Sequence, residues 1–169
     1  SSITDSTRTD SLINFIIKNK INTIFLETYI NGEILNDKYI DKKIILDNSD
    51  TLNQNNNFVY NPLEYFLNKS KSSDSIKVYA SMDVYKLWTK NYYPDDTTHF
   101  YYQCPDCLES DINGKSDKLI KLDKIQSLEW EGIFLSPMHP DVNLYIINKI
   151  LYLLDTYDFD GILLDQMRY

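Results

Sequence analysis

Glycine is scarce in this sequence, with four residues in 169. Phosphate-cradling loops need closely spaced glycines, so no nucleotide cofactor is expected. No run of about 18 apolar residues occurs, and no membrane-spanning helix is expected. Positive charge is thin as well. Lys and Arg total 17 against 25 Asp and Glu, a net charge of −8. Basic residues cluster no further than Lys42-Lys43, beside Asp41. A nucleic-acid backbone calls for a basic patch, so a nucleic-acid partner is not expected. An acidic surface serves solubility and is compatible with a neutral glycan. The opening Ser1-Ser2-Ile3-Thr4-Asp5 lacks the charged-then-apolar order of a secretion signal.

Cysteine and histidine number two each. Cys104 and Cys107 form one Cys-Pro-Asp-Cys motif in a Tyr-rich stretch, without the second pair that a four-ligand structural zinc site would want. Three readings stand open: unpaired thiols, a local disulfide, or a metal or redox site. His99 and His139 could add ligands but show no finger-like spacing, and His139 is placed at a helix start. No metal site is assigned.

What is present suits one globular domain. Hydrophobic residues make up 43% of the chain and charged residues 25%, enough for a sizeable core. Leu12, Ile13, Ile16 and Ile17 predict a helix over 10–20, capped by Thr9 or Asp10. Asn22 to Ile30 is short, apolar on both faces and rich in β-formers, as buried parallel strands are. Asn31-Gly32 opens a long connection to Tyr60, and its run Asn53-Gln54-Asn55-Asn56-Asn57 reads as a polar loop insertion. Asn61-Pro62-Leu63-Glu64 predicts a helix start with a capping box, fading at Ser72-Ser73-Asp74. Ile76 to Val84 is the second strand. A hairpin is expected around Asn113-Gly114, as a type I′ turn, with Leu119 to Leu122 as its returning arm. Gly132 to Ser136 is the third strand. Pro140 opens a helix with the stripe Val142, Ile146, Ile150, Leu153 and Leu154, ending at Tyr157, and Gly161 to Asp165 is the fourth strand.

Strands alternating with helices predict an α/β fold with a mostly parallel sheet. Four strands cannot close a barrel of eight, which takes about 250 residues. The expectation is a partial (β/α)8 barrel: a single domain over 1–169, truncated at both ends, with 85–131 as a hairpin and loop insertion.

Residues Tyr157-Asp158-Phe159-Asp160-Gly161-Ile162-Leu163-Leu164-Asp165-Gln166-Met167-Arg168-Tyr169 resemble the "Y-D-x-D-G-I-h-x-D-x-x-R/F-Y" block of glycoside-hydrolase-like family 10. Further matches follow in order: Asn22-Thr23-Ile24-Phe25, Asn61-Pro62-Leu63, and Leu135-Ser136-Pro137 to Pro140-Asp141-Val142. There are departures. Leu163 stands where the family often has His, Gln166 where a second acid is common, and Tyr79-Ala80-Ser81-Met82-Asp83-Val84-Tyr85 where it has "H-A-W-x-N-P-Y". A weaker likeness, to the α-amylase "D-G-x-R-x-D" block, lacks its Arg at Leu163. The family resemblance implies a bacterial cell-envelope or secreted glycosidase acting on a polysaccharide such as peptidoglycan glycan strands. The strand count adds one more expected partner, the remaining half of the barrel in the parent protein.

Glycoside hydrolysis uses two carboxyl groups flanking the scissile bond. In barrels such groups project from the C-terminal ends of strands. Glu27, Asp83 and Asp165 are the catalytic candidates, with Asp165 foremost; the alternative for each is a structural contact. Together they also form a minor candidate for Ca²⁺ or Mg²⁺. Arg168, Tyr169, Tyr85 and Trp88 are candidate substrate contacts, and Trp88, Tyr92, Tyr93 and Tyr101 a candidate sugar-stacking wall or insertion core. Asp160 is assigned to the turn at Gly161. The competing function is a non-catalytic carbohydrate-binding or surface-interaction domain on a degenerate barrel.

Overall fold

The structure is a computed structural model, described over residues 6–35, 61–72, 76–125 and 130–167. The Asn-rich run, Ser73-Asp74, Arg168 and Tyr169 lie outside the described residues.

The elements in chain order are α1 (Ser6–Lys18), β1 (Thr23–Ile30), β2 (Glu33–Ile34), α2 (Pro62–Lys71), β3 (Lys77–Asp83) and β4 (Lys86–Trp88). They continue with the four-residue α3 (Phe100–Gln103), 3-10 turns at Pro105–Cys107, Asp117–Leu119 and Leu122–Lys124, β5 (Ile133–Phe134), α4 (Pro140–Thr156) and β6 (Gly161–Asp165). The fold is α/β. Its main sheet runs β2-β1-β3-β6, mixed but mostly parallel, and does not close into a barrel. The link from β3 to β6 advances in one sense, from Asp160 N–H donating to Val78 O to Val84 N–H donating to Asp165 O, each at 2.9 Å.

Local sequence explains several boundaries. Asn61 accepts from the Glu64 N–H at 2.9 Å and Pro62 fills the first helical position of α2, as its sequence predicts. Helix α1 begins earlier than expected, at Ser6, so Thr9 and Asp10 are interior residues rather than caps. Thr9 is buried, and Asp10 accepts from the Tyr65 hydroxyl at 3.0 Å. At its other end Lys20 takes φ +56°, Ile21 N–H reaches Ile16 O and Lys20 N–H reaches Ile17 O. That pair of bonds is a Schellman closure made without glycine.

Three expectations need correction. The Asn-Gly pair that closes a two-residue hairpin is Asn31-Gly32, with φ +53° and +76°; β2 returns beside β1 and Leu35 N–H donates to Thr28 O. Positive φ at both central residues marks the type I′ turn. At Asn113-Gly114 only the glycine has positive φ, +75°. There the Asp111 carboxylate gathers the N–H groups of Asn113 and Lys115, and one bridge, Ser110 to Ser116, replaces a hairpin. Leu119 to Leu122 is not a strand but a link between 3-10 turns. Finally, residues 132–136 do not join the main sheet. Their core, β5, pairs antiparallel with β4 in a separate two-stranded sheet. Gly132, at φ +136°, permits that pairing, because a Cβ there would lie 2.6 Å from Trp88 O.

Contacts divide the chain into two compact units: Ser1–Thr28, Ile34–Ser81 and Leu153–Leu163; and Tyr29–Glu33, Met82–Tyr152 and Leu164–Tyr169. In the first, α1 packs on α2, with Ile13, Ile16, Leu63, Phe66, Val78 and Ala80 buried. Burial of these side chains contributes about 1.5–3 kcal/mol for each large aliphatic or aromatic one. In the second, Tyr29, Met82, Leu87, Leu122, Ile133, Leu135 and Val142 are buried. No helix among the described residues is long and apolar enough to cross a membrane.

Candidate functional site

Strand β3 alternates a buried face, Val78, Ala80 and Met82, with a partly open face, Tyr79, Ser81 and Asp83. This is the period-two consequence of the pleat. Asp83 is the last residue of β3 and Asp165 the last of β6, so both sit at C-terminal strand ends. The Val84 N–H donates to Asp165 O at 2.9 Å, so the two ends are neighbours.

Their surroundings differ. The Asp83 carboxylate pairs with Lys86 Nζ at 2.7 Å, and both side chains are about one-fifth exposed. Asp165 is exposed, and its Oδ1 accepts the Gln166 N–H at 2.7 Å. Gln166 holds φ +52°, an unfavourable left-handed conformation for a residue with a side chain. Backbone strain of this kind concentrates at functional sites. Glu27 is exposed on β1, in the first unit.

The remaining candidates separate. The Tyr85 hydroxyl donates to Asn143 Oδ1 at 3.4 Å. Trp88 is a core residue, 5% exposed; its indole N–H donates to Tyr92 O at 2.7 Å and its ring meets Tyr92 and His99 edge-on. Tyr101 is buried too, whereas Tyr92 and Tyr93 are exposed. Asp160 is structural in a way its sequence does not show: its Oδ2 accepts the Val78 N–H at 2.8 Å, pinning the approach to β6 against β3. Arg168 and Tyr169 are outside the described residues.

Two further polar clusters are present, the second built on the Cys-Pro-Asp-Cys motif whose pairing the sequence left open. In one, the Tyr29 hydroxyl donates to Tyr145 at 3.2 Å and Tyr145 donates to Gly32 O at 2.6 Å. The ring of Tyr145 stacks on Phe100, with centroids 3.9 Å apart. Nearby, His99 Nε2 lies 2.7 Å from Asn31 O and its Nδ1 accepts the Tyr101 N–H. A carbonyl can only accept, so Nε2 carries the proton. In the other cluster, Cys104 and Cys107 form a disulfide and His139 Nδ1 lies 3.4 Å from Cys107 Sγ. The donor atoms of these three residues all fall within 4.8 Å of one another, making them the metal-capable group among the described residues. A sequence separation of 32 between Cys107 and His139 hides their meeting from the sequence. The chain is brought back by the antiparallel Leu108–Leu135 bridge and by the Ser136 N–H donating to Cys107 O.

The fold has a known counterpart. A solved structure, "Crystal structure of a hypothetical protein from Ruminiclostridium thermocellum ATCC 27405", matches with a TM-score of 0.60 over 99% of this chain and 73% of that one. Identity is 14%, so the likeness extends to the fold alone. No family model matches the chain, and no curated protein does.

Proposed function

We propose that this chain carries part of the catalytic face of a glycoside hydrolase that cleaves a polysaccharide, with peptidoglycan glycan strands as the first substrate to try. The observation that carries the reading is the placement of Asp83 and Asp165 at the ends of neighbouring strands. Paired carboxyls are what glycoside hydrolysis requires. One donates a proton to the leaving oxygen, and the other attacks the anomeric carbon or activates water. Asp165, exposed and followed by a strained residue, takes the leading role; Asp83, in the same compact unit, is the candidate for the second carboxyl. The resemblance over Tyr157 to Tyr169 supports the same assignment. Tyr85, Arg168 and Tyr169 are the proposed substrate contacts.

Strand β6 is an outer strand of the described sheet, and the half-barrel reading predicts that a further strand pairs with its open backbone edge. A cell-envelope or secreted location is consistent with the Cys104–Cys107 disulfide, a bond that persists in oxidising compartments.

A second reading has an observation of its own. Lys86 neutralises Asp83, and Trp88 is buried rather than offered to a sugar. The ion pair favours a carbohydrate-binding domain that has lost catalysis, whereas the burial of Trp88 removes one sugar contact from either reading. Incubating the full-length protein with purified glycan strands, and reading new reducing ends alongside glycan pull-down, distinguishes them. Release of reducing ends is expected. Pull-down without release selects the binding domain, and the absence of both signals overturns the carbohydrate proposal.

A further inference from the structure

We propose that Cys104, Cys107 and His139 form a redox-gated site for a borderline-soft divalent cation of the Zn²⁺ class: the dithiol binds the cation, and the disulfide is the metal-free state. The proposal is independent of the carboxylates and of the glycosidase reading.

The donor chemistry is that of a Cys₂His zinc site with an open fourth position. Zn–S bonds of about 2.3 Å and Zn–N bonds of about 2.0 Å in a tetrahedron place sulfur about 3.6 Å from nitrogen and about 3.8 Å from the second sulfur. The observed Cys107 Sγ to His139 Nδ1 separation is 3.4 Å, already close to that geometry. Breaking the disulfide lets the two sulfurs move apart to reach it, with their Cα atoms 5.2 Å apart. The three donors also come from two well-held segments. Cys107 is fully buried in a 3-10 turn, and His139 immediately precedes α4, where its Nδ1 is 3.3 Å from the Asp141 N–H. That weak, long contact is the one the cation would replace.

A cavity of about 440 Å³ lies on the same chain segments, lined by Asp106 and Leu108, which flank Cys107, and by Pro137 and Met138, which lead into His139; the three donors themselves do not line it.

The gate balances with a dithiol reductant. Its thiolate attacks Cys104, the half-buried sulfur, and Cys107 leaves as a thiolate. The second thiol of the reductant then displaces Cys104 and closes the reductant's own disulfide. Two electrons and two protons pass to the protein, and cation binding releases the two thiol protons to solvent.

The test uses the full-length protein, reduced with a dithiol that is then removed under argon, and titrated with Co²⁺ as probe before Zn²⁺ is added. A thiolate-to-cobalt charge-transfer band saturating at one equivalent, abolished by Zn²⁺ and missing from the oxidised protein, is the expected result. His139→Ala is expected to weaken binding at least about tenfold. Cys104→Ser provides a second variant should the first not fold, with the same expectation. Absence of the band in reduced wild type, equal binding by the oxidised form, or wild-type affinity in either variant would overturn the proposal.

Discussion

The hydroxyl of Tyr29 is fully buried and depends on one neighbour, Tyr145, which in turn holds the carbonyl of Gly32. Burial pushes the Tyr29 phenol well above its ordinary 10.0, and Tyr145 adds to the shift. Direction in this chain predicts unequal mutants. Tyr29→Phe removes one donor and is expected to cost about 1 kcal/mol in denaturant unfolding. Tyr145→Phe strands the Tyr29 hydroxyl and the Gly32 carbonyl together, and is expected to cost about 1–3 kcal/mol more. Equal losses would refute the order of the chain. Asp117 offers a pH test. Burial raises its carboxyl above the ordinary 3.8, partly offset by the Phe134 N–H that it accepts. The folded state therefore holds the proton longer than the unfolded state does. This group's effect on stability is neutral below 3.8 and becomes a penalty as pH rises through the folded value. Asp117→Asn keeps an acceptor for Phe134 and cannot ionise. Its melting temperature relative to wild type should climb between pH 3 and pH 7, and a falling difference would contradict the account.

At the scale of elements, the two Asn-Gly pairs show what local sequence can and cannot tell. Both carry the same turn signal. Only Asn31-Gly32 becomes a two-residue hairpin, because β1 delivers a full strand into it and β2, although two residues long, finds β1 beside it. A strand of two residues has no periodicity to detect, so it was hidden inside an expected loop. The capping of α2 was legible because Asn61, Pro62 and Glu64 act within one turn. The pairing of β5 with β4, and the meeting of His139 with Cys107, were not, because both depend on antiparallel register across long sequence separations. The two turns also differ in crowding. A Cβ on Gly32 would lie 2.5 Å from His99 Nε2, whereas one on Gly114 would meet nothing within 4 Å. Gly114→Ala is expected to cost about 1 kcal/mol for its left-handed backbone. Gly32→Ala is expected to cost at least about 2 kcal/mol, since His99 or Leu87 must also move. Denaturant melts of the pair check the ranking.

At the scale of the whole molecule, alternating strands and helices were readable from apolar patterning, and the α/β class follows from it. The open sheet β2-β1-β3-β6 brings Asp83 and Asp165 to adjacent strand ends, which is the part of the candidate site that patterning could foresee. The Lys86 pair on Asp83 and the burial of Trp88 were beyond it, since both depend on where the chain goes after β3. The central claim is that Asp165 does chemistry on a glycan. Its most direct test is the rate of reducing-end release from glycan strands by the full-length protein and by its Asp165→Asn variant. The account predicts a fall of about 10² or more, the usual share of a positioned acid or base, with an unchanged melting temperature. Equal rates in the two proteins would contradict it.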